Sequence, residues 1–216
     1  MAKMIDNKPS WKGEGKVWES LSANLPGDNV VYNQREVNGR EYDFCVMAEN
    51  LGLVIIEVKG WDPDKIDVRG VDNIIVDGYD EPQTSPKKQA RAYRFAILNK
   101  IVEKYNASPL VLDMVCYPFI TQEQYVRTKL DIVSEPEYTI FKEDIEDGKK
   151  LNEKIQHLFT LNKFIPHADF SYDLMVRIRK QLEPDFKLSV IDNKNKPYSK
   201  LSIFPNGINE NLIDRK

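Results

Sequence analysis

Glu41-Tyr42-Asp43-Phe44-Cys45-Val46, a turn at Glu49-Asn50 and Gly52, then Leu53-Val54-Ile55-Ile56-Glu57-Val58-Lys59 is the stretch that decides the fold. Two apolar runs of strand length flank a turn, so they read as neighbouring strands. Side chains alternate faces along a strand, which sends Glu57 and Lys59 to the same side. An apolar strand gains nothing in packing from a carboxylate and an ammonium. Two carboxylates beside a lysine, Asp43 and Glu57 with Lys59, are what a divalent metal and an attacked phosphodiester require. The plainer reading is an ion-pair cluster at a sheet edge.

The rest of the chain builds an α/β core outward from this pair. Gly13 to Asn24 reads as a helix ended by Leu25-Pro26-Gly27-Asp28. Val30-Val31-Tyr32 starts a strand, and Asn38-Gly39 turns it into the Asp43 strand. Asn73 to Val76 is a further short strand. Thr84 or Ser85 caps a long helix that opens at Pro86 and runs to about Tyr105. Leu110 to Cys116 and Tyr138 to Phe141 are later strands, and Glu143 to Thr160 reads as one helix. Helix, three strands, helix, strand predicts a mixed central sheet flanked by helices.

On the first helix, at about 100° per residue, Glu14 shares a face with Val17, Trp18 and Leu21, whereas Glu19 lies opposite. An inward carboxylate is costly unless paired or bound to a metal. Glu14 is therefore a candidate third acid. An acid complementing the helix dipole explains it equally well. Gln89, in the first turn of the Pro86 helix, could offer its amide to a phosphate, a metal-bound water or Lys59. Lys87, Lys88, Arg91 and Arg94 form either a basic rim for phosphates or a solvated helix face. Asp113 reads as a capping or edge residue, Trp61 as packing over the sheet's end, and His157 and His167 as structural.

At 216 residues and a formal charge of −3, the chain can bury one substantial core. It lacks the basic surplus of proteins that coat nucleic acid. No apolar stretch approaches the roughly 20 residues of a membrane span, and the N-terminus lacks the apolar core of a signal peptide. Cys45 and Cys116 sit in apolar runs, which predicts buried free thiols and a reducing cytoplasm.

Taken in order, Gly13-Glu14-x-x-Val17-x-x-x-Leu21, Glu41-Tyr42-Asp43-Phe44, Ile56-Glu57-Val58-Lys59-Gly60-Trp61 and Ser85-Pro86-x-x-Gln89 resemble the nuclease-related domain (NERD) family, itself similar to the PD-(D/E)xK nuclease superfamily. The resemblance covers about Gly13 to Tyr117. It implies a restriction-endonuclease-like core and Mg²⁺- or Mn²⁺-dependent hydrolysis of DNA. Glu14, Asp43, Glu57, Lys59 and Gln89 fall on the family's motif positions, with Asp43, Glu57 and Glu14 as the implied metal ligands. Tyr42 departs from the small or aliphatic residue that many members carry before the Asp.

From about Leu161 the character changes, with Pro166 and Pro184 around one helical stretch, Tyr172 to Gln181, which divides the chain into a nuclease domain, residues 1–160, and a small C-terminal extension, residues 161–216. That extension loosely resembles a connector to a helicase module, because such domains are often fused to one. No Gly-rich phosphate loop ending in Gly-Lys-Ser/Thr occurs, so ATP hydrolysis is not expected of this chain. The expected role is DNA processing or defence against foreign DNA, on single- or double-stranded substrate and with little sequence specificity. The alternatives are a non-catalytic DNA-holding module serving a helicase, or a docking domain using the Phe164 to Phe186 region.

Overall fold

In a computed structural model, which describes residues 1–37, 39–182, 186–191, 197–204 and 207–208, the chain divides into two units, Met1–Tyr172 and Asp173–Lys216. The first opens with β1 (Lys3–Met4), α1 (Lys12–Asn24), β2 (Val30–Val37), β3 (Arg40–Ala48) and β4 (Gly52–Val58). It continues through β5 (Ile66–Gly70), β6 (Asn73–Val76), α2 (Pro86–Tyr105), β7 (Val111–Cys116) and α3 (Gln122–Arg127). β8 (Thr139–Ile140), α4 (Lys142–Glu146) and α5 (Gly148–Asn162) complete it. The second unit holds α6 (Tyr172–Leu182) and an antiparallel sheet of β9 (Phe186–Ile191), β10 (Pro197–Phe204) and β11 (Gly207–Ile208).

The central sheet has the order β1-β2-β3-β4-β7-β8. β2, β3 and β4 are antiparallel neighbours, whereas β1–β2, β4–β7 and β7–β8 are parallel pairs. This is the expected mixed sheet, and it places β4, the strand carrying Glu57, in the interior. The Glu57–Lys59 pair therefore does not lie on an edge strand.

Alternation along β4 gives the sheet two apolar faces. Val54 and Ile56 pack with Phe44, Val46, Leu112 and Met114 under α1 and α5, which contribute Val17, Leu21, Leu151, Ile155 and Leu158. The opposite face lies under α2, which packs on β4 and β7 and buries Ala90, Ile97 and Ile101. Each such aliphatic side chain contributes roughly 1.5–3 kcal/mol on burial. Packing alone thus holds the sheet, and charged groups within it call for a separate reason.

The bounds of α2 follow its sequence signals. The Ser85 hydroxyl accepts from the Lys88 amide, Pro86 occupies the first turn, and Asn106 ends the helix in the left-handed region at φ 49°. Gly39 has φ 75° in the β2–β3 hairpin, whose closing pair is Val37 and Arg40. Asn38, the other residue expected in that turn, lies outside the described residues, as do Glu183–Asp185 and residues 192–196 of the polar C-terminal segment.

Gly52 is required where it stands. Its φ is 143°, and a Cβ there would come within 2.1 Å of the Leu110 carbonyl oxygen, which accepts from Leu53 N–H. Gly52→Ala should lower stability by at least about 2 kcal/mol in urea denaturation, since the left-handed backbone and the clash add.

The expected single helix from Glu143 to Thr160 is instead two. Asp147 leaves helical geometry at φ −111° and its carboxylate accepts from the Lys149 amide, ending α4 and starting α5. Asp followed by Gly favours such a break over continuation. β1, β5 and α3 were not foreseen: each is short, and β1 has only two residues from which to read a period. Cys45 and Cys116 are buried free thiols, as expected. Among the described residues, no helix is long and apolar enough to cross a membrane.

Candidate active site

β3 and β4 pair as far as Phe44 with Ile56, and Asp43 and Glu57 are the residues just beyond that last pair. The Asp43 carboxylate is held in place by the Val58 amide, which donates to Oδ2 at 2.6 Å. Lys59 Nζ donates to Glu57 Oε1 at 2.7 Å, as expected for two residues of one strand face. Glu57 is 5 % exposed, and Lys59 is half-buried.

α1 brings its first turn to this strand end through a close glycine contact. A Cβ at Gly13 would sit 3.3 Å from Gly60 Cα, so the missing side chain at Gly13 eases the close approach of the helix to the chain just past Lys59. Val17 and Leu21 are buried on the sheet side, Glu14 is half-buried, and Glu19 is exposed and pairs with Lys8. Glu14 is close enough to feel Glu57 and Lys59, but its own contact is to Gln34, whose amide donates to Oε2 at 2.9 Å.

All three acids resist ionisation. Burial pushes the Asp43 carboxyl up to about 7, with the neighbouring Glu57 charge adding to the effect. Burial raises Glu57 against the opposing pull of Lys59, and burial also raises Glu14. Asp43, Glu57 and Lys59 open with Glu14 onto a cavity of about 500 Å³, whose rim carries Trp11 and Tyr79. A half-buried Asp43 and a buried Glu57, the latter paired with the Lys59 ammonium, form a donor set that suits Mg²⁺. That ion is commonly held by one or two carboxylates and otherwise by water and phosphate oxygens. Among the described residues, no group of three or more His, Cys, Asp or Glu is arranged around a common metal position. Asp43 and Glu57 could hold the ion, with Glu14, whose carboxylate contacts Gln34, near enough to Glu57 and Lys59 to join them directly or through water.

Gln89 is placed differently. Its amide nitrogen donates to Thr84 Oγ1 at 2.9 Å, its amide oxygen is buried without a protein partner, and it does not line the cavity. The basic rim expected on α2 is not formed as read. Lys87 is 6 % exposed and pairs with Asp113 at 3.0 Å, while Arg94 pairs with the other oxygen of Asp113 at 3.1 Å. Lys88 is exposed and paired with Asp72, and Arg91 is exposed. Asp113 is 2 % exposed between the two cations, on a stretch of β7 that pairs with β4 but has β8 beside it only at Val115 and Cys116. Trp61 packs as expected, 3 % exposed and 6.0 Å from the Tyr117 ring. His157 and His167 are both exposed and lie apart from the cavity.

Gln34 carried no signal in the sequence. The β2–β3 ladder passes over it, pairing Asn33 with Phe44 and then Arg35 with Tyr42, and its φ is 51°, a left-handed geometry inside a strand that costs a non-glycine residue roughly 1–2 kcal/mol. The distortion turns its amide toward Glu14, and only the folded backbone reveals it.

A mixed sheet whose interior strand ends in Glu-x-Lys, with an Asp on the next strand and a helix N-terminus beside them, defines an α/β domain of nuclease-like design. Residues 9–118 match the family described as NERD, nuclease-related domain, and the chain belongs to that family. No curated protein and no solved structure matches the chain.

Proposed function

We propose that the protein is a metal-dependent nuclease that hydrolyses DNA phosphodiester bonds with little sequence specificity. The observation that carries this reading is the juxtaposition of Asp43, Glu57 and Lys59 at one open cavity, inside a chain of the nuclease-related family. Asp43 and Glu57 would hold Mg²⁺ or Mn²⁺, which when bound polarises the phosphodiester and makes a coordinated water acidic. The Val58 amide fixes Asp43, and the buried floor of the cavity keeps its charge poorly screened. Lys59, once released from Glu57, places its ammonium against the phosphate oxygens, where it orients the attacking water and offsets developing negative charge. Glu14 and Gln89 belong to the same proposal as outer groups, acting through water or through Gln34. A role in DNA processing or in defence against foreign DNA, with a fused or associated helicase, follows from the family's habits.

The second reading, a non-catalytic DNA-holding module, draws on Glu57 being closed onto Lys59 and Glu14 onto Gln34. Cleavage of plasmid and single-stranded DNA with Mg²⁺, Mn²⁺ or EDTA separates the two. Metal-dependent cutting supports the enzyme. No cutting with either metal, beside retained DNA binding, supports the module.

Metal binding should depend on pH with a defined sign. Protons compete with the cation at Asp43, which takes up its proton at about 7. The rise in Tm on adding Mg²⁺ should be small at pH 5.5 and larger at pH 8, read by differential scanning fluorimetry. A shift of equal size at both values, or none at pH 8, would count against Asp43 as a ligand.

A further inference from the structure

Three cavities, of about 370, 290 and 500 Å³, adjoin along one side of the first unit and share Lys12 and Phe119 on their walls. The largest contains Asp43, Glu57 and Lys59. The next, beyond Trp11, is bordered by Lys8 and Lys16. Together they make a track that leads away from the candidate active site and carries aromatic rings interleaved with lysines.

The rings are not there for the fold. Trp11 is 71 % exposed and Tyr79 is 55 % exposed, and both border the cavity that holds the acids. Trp11 occupies the N-cap of α1, where Ser, Thr, Asp or Asn would satisfy a free amide, and it provides no side-chain cap. Its backbone carbonyl accepts from Gly15 N–H, a service any residue could give. Phe119 is half-buried, with the ammonium groups of Lys12 and Lys16 at 5.5 and 5.8 Å from its ring centre. Lys16 is shared with Glu146, but Lys12 has no carboxylate partner among the described residues.

An exposed ring beside a scissile phosphate can stack only on a base face. In a duplex those faces are covered by neighbouring base pairs, and a protein meets edges and phosphates instead. An unpaired strand offers both faces and backbone, and aromatic rings with cations between them suit it.

We propose that the substrate strand is unpaired at the site: single-stranded DNA lies along this track with bases against Trp11, Tyr79 and Phe119 and phosphates toward Lys12 and Lys59. The path of the strand to the acids rests on the nuclease reading, whereas the binding itself does not.

The test is fluorescence anisotropy in EDTA with three labelled probes of equal length: an oligo-dT strand, a duplex, and a strand of abasic sites with the same phosphates. The dT strand should bind at least about tenfold more tightly than the duplex, and Trp11→Ala should weaken it by about tenfold. The abasic strand should bind Trp11→Ala and the unaltered protein alike, and Trp11→Phe should restore most of the affinity for dT. A thermal melt of each variant checks folding, which an exposed ring should not disturb. Equal affinity for duplex and dT, an equal loss on the abasic strand, or no binding of any probe overturns the proposal. Cleavage of the same strands keeps the two readings apart. Single-strand preference without cutting in Mg²⁺ or Mn²⁺ removes the nuclease and leaves the track. Cutting of duplex and single strand at equal rates, unaffected by Trp11→Ala, removes the track and leaves the nuclease.

Discussion

Asp43→Asn and Lys59→Ala should each lower the rate of metal-dependent DNA cleavage by about 10³-fold or more while the protein stays folded. The two substitutions remove different things. Asn keeps the size of Asp43 and can still accept from the Val58 amide through its carbonyl oxygen, but it is a poor ligand for a hard cation. Ala at position 59 takes away the ammonium and leaves both carboxylates. Their effects on stability should therefore diverge. In the folded protein the Asp43 carboxyl holds its proton up to about 7, against an ordinary value of 3.8. The folded state binds a proton that the unfolded chain has released, so metal-free stability falls as pH rises between those values. Asp43→Asn removes that loss and should be more stable than the unaltered protein at pH 8 in EDTA. Lys59→Ala strips Glu57 of its partner and should be less stable there. Cleavage read on a DNA gel and Tm read at pH 8 check both halves. If Asp43→Asn melts lower in EDTA, the carboxylate is a structural anchor and not a strained ligand.

That strain was legible in part. Alternation along β4 put Glu57 and Lys59 on one face, and the apolar run around them marked a buried strand. The acids' common cause, burial in an interior strand end, follows from a sheet order that no local pattern contains. The start of α2 was legible because Pro86 and a hydroxyl residue before it act on the backbone within one turn, whereas its end was read only as about Tyr105, one residue before the left-handed Asn106. Gln34 and Trp11 were missed for opposite reasons. The first acts through a backbone geometry that sequence does not encode for glutamine. The second is informative only because it is exposed, and exposure belongs to the folded surface. Neither a basic rim nor a solvated helix face describes Lys87 and Arg94, and their spacing could have shown it. They fall on the same stripe as Ala90, Ile97 and Ile101, at alternating steps of three and four, which is the buried face of α2. Charge type suggested solvent, whereas periodicity pointed inward, and periodicity prevailed because Asp113 was waiting on β7.

Asp113→Ala should destabilise the protein by about 3–5 kcal/mol, the largest stability effect expected of any single substitution considered for this chain. The carboxylate is 2 % exposed and meets Lys87 Nζ at 3.0 Å through one oxygen and Arg94 at 3.1 Å through the other. Removing it leaves two cations facing an apolar strand. Lys87 keeps a 3.5 Å hydrogen bond to the backbone carbonyl of residue 113, Glu135 at 3.8 Å, and the Tyr138 ring, 3.9 Å from its ammonium. None of these replaces a carboxylate at hydrogen-bonding distance. A domain of this kind has roughly 5–15 kcal/mol in all, so the loss would bring many preparations to the edge of unfolding. The size of the effect reflects the stranded charges, not the net worth of the network. Replacing Lys87 and Asp113 together, as Lys87→Met with Asp113→Leu, should therefore recover most of the loss, since the buried pair is exchanged for packing. Urea denaturation of the single and double variants measures the difference. A double variant as unstable as Asp113→Ala would mean that the network fixes the seating of α2 on β4 and β7. In that case Arg94, half-buried beside the missing carboxylate, would be the residue to replace next.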